Sequence, residues 1–178
     1  IRDSSRMDFL IILIDLVVIA LGIVDVRFGF ICRREQHQNK MNAQIYVGDG
    51  KIVWIFGLIS WVAGILEMIL LLVSFNELAF YIWLLICIMA QWGMTAFLWQ
   101  HYCYSAVYLY GKKIYFFDKR RKRNIGLENK VGIKAALGNT VYAFFDENDN
   151  KLFEIQMKKK NASELMQLIK NEISNRNP

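Results

Sequence analysis

The stretch from Leu78 to Tyr110 reads LAFYIWLLICIMAQWGMTAFLWQHYCYSAVYLY and holds no charged side chain if His101 is neutral. A helix crosses the hydrocarbon of a bilayer with about 20 apolar residues at ~1.5 Å rise each, and this stretch exceeds that. Its last part changes character. AVYLY (Ala106–Tyr110) is separated by Gly111-Lys112 from KIYFF (Lys113–Phe117). Two β-branched and aromatic runs across a glycine-bearing turn predict a hairpin. The stretch therefore marks a boundary, with an apolar helical region before it and β structure after it.

Two further apolar segments lie upstream. MDFLIILIDLVVIALGIVDVRFGFICRR (Met7–Arg34) has Asp15 as its only charge between Phe9 and Val24, and IVWIFGLISWVAGILEMILLLVSF (Ile52–Phe75) has only Glu67. Three transmembrane helices are expected, over about 8–31, 52–74 and 78–101. The apolar part of the first exceeds the h-region of a cleaved signal peptide, and no small-x-small site precedes its Arg pair. The chain opens on Ile1 rather than Met, so the native start is expected upstream. Hydrophobic residues make up 55% of the chain, above the usual ~45–50%, and most of that excess lies between Phe9 and Tyr110.

Charge divides the other way. Ile1 to His101 holds seven Lys+Arg against eight Asp+Glu, net −1, and Tyr102 to Pro178 holds fifteen against eight, net +7. The loop CRREQHQNKMNAQIYVGDGK (Cys32–Lys51) carries four basic residues, and the turn at Asn76–Glu77 carries none. With three spans, the basic loop and the basic tail share one side, which the positive-inside rule makes cytoplasmic. Trp54 and Trp99 then fall near the cytoplasmic ends of their helices and Trp83 near the outer end, the positions of aromatic belts, with packing as their other role. Cys32, Cys87 and Cys103 show no metal or redox spacing and read as reduced apolar fillers.

The tail is expected to fold by itself over 105–178, with 1–104 as the transmembrane region. AVYLY, KIYFF, NIGL, KVGIKAAL, TVYAFF and KLFEIQM read as about six short strands, with turns at Gly138-Asn139 and at DENDN. HYCYSAVY is a candidate for a seventh. DENDNK from Asp146 fails as a calcium loop, because Lys151 stands where glycine is needed. NASELMQLIKNEI then opens with Asn161 as N-cap and Glu164 three residues on, and Leu165, Leu168, Ile169 and Ile173 form an apolar stripe at helical spacing. That helix is expected to cover the apolar face of the small sheet.

In this order, IYFFD…RKRNIGLENKVGIK…TVYAFFDENDNKLFEI…NASELMQLI, the span Ala106–Ile173 resembles the bacterial pleckstrin-homology-like (PH-like) domains. The resemblance implies an α+β domain, a β-meander of about six or seven strands capped by one C-terminal helix, following membrane helices. It implies a membrane-side scaffold that binds a protein partner or an anionic membrane surface. Resembling proteins include bacteriocin-immunity and envelope-associated proteins, hence a protective or scaffolding role. It transfers no catalytic residues.

The candidate sites are few. KRRKR (Lys119, Arg120, Arg121, Lys122, Arg123) lies between the second and third expected strands. It reads first as a solvated polar turn that reinforces topology, and second as a contact for anionic headgroups. A nucleic-acid patch has the same composition, but no recognition motif accompanies it, so no nucleic-acid partner is expected. Lys158, Lys159 and Lys160 have the same two readings. Asp15 and Glu67 lie ~10 Å from the outer surface by helical rise, an intramembrane polar pair. Such carboxylates suggest a proton or ion role or a partner's counter-charge. The alternative is that each is protonated or bonded to another helix. GxSxG, HExxH and P-loop patterns are missing from the sequence, and no catalytic residue, metal or cofactor is expected. The function expected is that of a non-enzymatic multi-pass membrane protein, with membrane lipids and a membrane-protein partner or a second copy as partners. An accessory subunit of a transporter complex and an intramembrane enzyme are the alternatives.

Overall fold

The computed structural model describes residues 2–73, 78–118, 120–129 and 131–174, with side chains from 8 to 172 among them. The elements run α1 (Arg2–Asn42), β1 (Ile45–Val47), α2 (Lys51–Val73), α3 (Leu78–Tyr104), β2 (Val107–Tyr110), β3 (Lys113–Asp118), β4 (Arg121–Gly126), β5 (Gly132–Ala136), β6 (Val141–Phe145), β7 (Lys151–Gln156) and α4 (Ala162–Ser174). They form two compact units. One holds residues 1–33 and 51–100; the other holds 34–50 and 101–178. The turn at Asn76–Glu77 lies outside the described residues.

Three helices of the first unit are long and apolar enough to cross a membrane. Glycine and tryptophan join them at a spacing of seven. α1 carries Gly22 and Gly29, α2 carries Gly57 and Gly64, and α3 carries Trp92 and Trp99. A Cβ on Gly22 or Gly64 would come within 2.5 Å of the Trp92 indole, and one on Gly29 or Gly57 within 2.5 Å of Trp99. Each indole of α3 is thus seated between a glycine of α1 and a glycine of α2. Seven residues are close to two helical turns, so the same arrangement recurs one layer along.

Hydrogen bonds follow the same period. Trp54 Nε1 donates to the Gly29 carbonyl at 2.8 Å and Trp61 Nε1 to the Gly22 carbonyl at 2.9 Å. Trp99 Nε1 donates to the Trp54 carbonyl at 3.1 Å. Trp92 Nε1 breaks the repeat and finds no acceptor among the described residues. Small residues that let backbones approach, with polar groups bonding across, are the means by which helices associate where apolar burial offers little drive. Trp54 and Trp99, expected as interfacial anchors, are therefore buried packing elements, Trp99 completely so. Trp83 stays exposed.

The second unit has two antiparallel sheets, β1-β2-β3-β4 and β5-β6-β7, with α4 packed on both. Val107, Leu109, Ile114 and Phe116 of the first sheet meet Phe144, Phe153 and Ile155 of the second and Leu165, Met166 and Ile169 of α4. The six expected strands are present. The seventh is not HYCYSAVY, whose residues His101–Tyr104 continue α3. It is β1, from the segment expected to be a polar loop, and it pairs with β2 through Ile45↔Leu109 and Val47↔Val107. Ile45 and Val47 enter the core, which is why IYV pairs rather than staying in solvent. Most of the remaining loop extends α1 to Asn42. On α4, Met166 rather than Leu168 completes the buried stripe. The side chain of Ile173 lies outside the described residues.

The glycine fit has a signed consequence. Replacing glycine by alanine inside a helix ordinarily stabilises it by up to about 1 kcal/mol. Gly93→Ala should do so, since a Cβ there meets nothing within 4 Å. Gly64→Ala and Gly29→Ala should instead destabilise by about 1–3 kcal/mol through overpacking against an indole that cannot retreat. Denaturation of the full chain in detergent, followed by helical circular dichroism, distinguishes the two signs.

Candidate functional site

Alternation on the first sheet sends Val107, Leu109, Ile114 and Phe116 to the core, so their neighbours Tyr108, Tyr110 and Tyr115 take the opposite face. Register aligns Tyr46, Tyr108, Tyr115 and Asn124 across β1, β2, β3 and β4. Tyr108 and Tyr115 stack at 5.3 Å with rings 9° apart, and Tyr46 and Tyr108 at 6.3 Å and 27°.

The last turns of α1 cover this face. Gln36 and Asn39, three residues apart, share one side of the helix. Tyr46 Oη donates to Gln36 Oε1 at 2.5 Å, and Gln36 Nε2 donates to the Cys103 carbonyl. Tyr108 Oη donates to Asn39 Oδ1 at 3.2 Å, and Lys122 Nζ donates to the same oxygen at 3.2 Å. Lys122 Nζ also lies over two rings, 5.2 Å from the centroid of Tyr108 and 5.5 Å from that of Tyr115.

Asn39, Asn42, Tyr108, Tyr110, Tyr115 and Lys122 line an open pocket of about 280 Å³. An ammonium only donates, so Lys122 requires the oxygen of the Asn39 amide to face it. The NH2 must then turn the other way, and it has no acceptor among the described residues although Asn39 is only 7% exposed. A buried donor left unpaired costs about 1–3 kcal/mol. Gln36, by contrast, uses both ends of its amide. Of the lining residues only Lys122 was singled out from sequence. The period-two tyrosines of β2 were a legible signal, but the asparagines stood in a segment read as a loop.

The basic run is not a turn. Lys119 lies outside the described residues, and Arg120 occupies the turn with φ 68°. Asp118 pairs with Arg121, so the hairpin closes over two residues and draws Arg121, Lys122 and Arg123 into β4 opposite Asp118, Phe117 and Phe116. All three are exposed, and Arg123 forms an ion pair with Asp118 at 3.1 Å. Charges along an edge strand also keep that edge from pairing with another chain.

Lys158 and Lys160 are exposed, but Lys159 turns inward. Its Nζ lies 3.1 Å from Asp49 Oδ1 and 3.1 Å from Ser105 Oγ, with both charged side chains nearly buried at 11% and 13% exposure. Ser105 Oγ donates to Asp49 Oδ2 at 2.5 Å, and His101 Nε2 lies 3.3 Å from that oxygen. The Ser105–Lys159 contact resembles a nucleophile with its base. However, an ammonium paired with Asp49 has no lone pair for the serine proton, which is already directed at Asp49. The cluster thus ties the end of α3, the β1–α2 connection and the β7–α4 turn together. Asn161, next along, donates its side-chain amide to the Tyr46 carbonyl at 3.3 Å and covers the outer edge of β1.

Asp15 and Glu67 belong to the first unit and share no hydrogen bond among the described residues. Asp15 is buried and accepts from Tyr81 Oη at 2.9 Å. Glu67 keeps one buried carboxylate oxygen without a partner among the described residues. DENDN forms a turn in which Asp146 Oδ1 accepts from the amides of Asn148 and Asn150 at 2.9 and 2.8 Å. The bonds from Asn150, first of all, hold its carboxyl below the usual carboxylate range.

Comparison with models of protein families, with curated proteins and with solved structures finds no match, so the chemistry of the site rests on its own residues. Burial first, with Tyr102 and Asp49 adding to it, pushes the Tyr46 hydroxyl well above the ordinary phenol range. In the unfolded chain that proton leaves near pH 10. The Tyr46 contribution to stability is therefore complete below about pH 10 and lost as pH rises beyond it. Tyr46→Phe should lower stability by about 1–3 kcal/mol at neutral pH, because Gln36 Oε1 loses its donor. It should also flatten the alkaline decline, as read by unfolding midpoints from pH 7 to 11.

Proposed function

We propose that the chain is a non-enzymatic, three-span membrane protein whose second unit is a PH-like domain on the cytoplasmic side. The β3–β4 hairpin of that domain holds it against an anionic membrane surface. The observation that carries this reading is the row Arg121, Lys122 and Arg123, three exposed basic side chains on one short strand next to the Arg120 turn. Each basic residue near an anionic surface contributes about 1 kcal/mol. Seven strands and a closing helix agree with the strand count and cap expected of a PH-like domain, with β1 supplied from ahead of α2. Membrane residence is supported by the long apolar helices and by the apolar side chains they expose, among them Ile12, Leu16, Ile59 and Leu66.

A second reading, an accessory subunit of a membrane complex, is favoured by one observation. The Glu67 oxygen without a donor among the described residues would accept from a Lys or Arg of a partner helix. Asp15 does not add to it, since Tyr81 already serves that carboxylate.

Two measurements test the main reading. In intact cells, an impermeant thiol reagent should label a cysteine placed at Asn76 and spare one placed at Asn148; the reverse pattern would overturn the cytoplasmic assignment. For the surface contact, a polarity-sensitive fluorophore on Arg120→Cys of the full chain is followed in nanodiscs. Its emission should shift when anionic lipid replaces neutral lipid, and the shift should vanish in 1 M salt, where screening shortens to ~3 Å. Arg121→Gln with Arg123→Gln should weaken the contact by about 2 kcal/mol, roughly thirtyfold. Emission indifferent to lipid charge would reject the contact.

A further inference from the structure

The pocket between the end of α1 and the outer face of the first sheet is built from donors. Lys122 brings an ammonium with three N–H groups and gives one of them to Asn39 Oδ1. Among the described residues no carboxylate lines the pocket and none pairs with Lys122. The Asn39 NH2 is buried without an acceptor. Asn42 adds a second amide, and Tyr110 and Tyr115 add phenols beside stacked rings. The one acceptor on Asn39, its Oδ1, is already occupied by Tyr108 and Lys122.

A positively charged pocket of diverging donors, with aromatic walls, complements an oxyanion whose acceptor oxygens also diverge. A phosphate has that shape; a carboxylate presents two oxygens in one plane and suits the fork of an arginine better. The volume of about 280 Å³ is at the small end for ligand sites and accommodates a phosphate with a short organic group rather than a nucleotide pair. We infer that this pocket binds a phosphate monoester or diester of a small polar molecule, with Lys122 and the Asn42 amide on the phosphate and Tyr110 and Tyr115 against the organic part. The group comes either from an anionic lipid headgroup or from a soluble phosphorylated compound. The inference does not require the hairpin to touch the membrane.

The test uses the full chain in nanodiscs of zwitterionic lipid, titrated calorimetrically with glycerol 3-phosphate. The wild type should bind saturably at one site. Lys122→Met should weaken binding by about tenfold or more, the effect of losing a charge-assisted contact. Asn39→Asp should abolish it. That isosteric change still accepts from Tyr108 and Lys122, so the fold should persist, but it neutralises Lys122 with a carboxylate and sets a negative charge beside the phosphate. Arg121→Gln with Arg123→Gln should bind as the wild type does, which separates this site from the surface contact proposed for the hairpin. In nanodiscs containing phosphatidylglycerol, loss of the glycerol 3-phosphate signal assigns the site to a headgroup, and an unchanged signal assigns it to a soluble phosphate. No saturable binding by the wild type, or binding by Lys122→Met and Asn39→Asp equal to that of the wild type, would overturn the inference.

Discussion

A phenol taken out of water needs an acceptor, and the outer face of the first sheet buries Tyr108 and partly buries Tyr46. The two hydroxyls find their acceptors outside the sheet, in Gln36 and Asn39 on the last turns of α1. Much of the second unit depends on that requirement. It fixes the helix end on the tyrosine face, positions β1 beside β2, and leaves a pocket between the last turn of α1, Tyr110 and Lys122. Because Asn39 serves both Tyr108 and Lys122 through one oxygen, the same contact that satisfies the sheet sets the polarity of the pocket.

The first unit meets a different constraint. Its helices expose apolar side chains widely, so burial of apolar surface does not single out one arrangement. Close fit does. Two indoles of α3, each placed between glycines of α1 and α2, permit one register, and a shift by a single residue would set Cβ atoms into the rings. Indole N–H groups bonded to the carbonyls of Gly22, Gly29 and Trp54 reinforce that register.

What could be read from sequence alone follows from how local each signal is. The three apolar helices were legible because a membrane-length run declares itself within about 20 residues. The strands from β2 to β7 were legible through alternation and glycine-bearing turns. β1 was not, because three residues in a polar segment carry no period, and their pairing partner lies 60 or more positions away. Only the first half of β4 was read as a turn, since Arg121–Arg123 are exposed on an edge and resemble solvent-facing loop chemistry. Lys159 could not be told from Lys158 and Lys160, because its partner Asp49 is distant in sequence. The pocket was invisible for the same reason: it exists only once residues near 39, 108 and 122 meet.

The segment between the first two apolar helices is an integral part of the C-terminal domain, pairing as β1 and closing the tyrosine face. Hydrogen–deuterium exchange on the full chain in nanodiscs tests it most directly, at the peptide spanning Gln44 to Val47. The Gln44 amide donates to the Leu109 carbonyl at 2.9 Å, and β1 continues that ladder to Val107. Exchange there should be slow, with protection that rises and falls with that of β2 and β3. Exchange at the rate of an unstructured loop, with β2 and β3 still protected, would contradict that pairing.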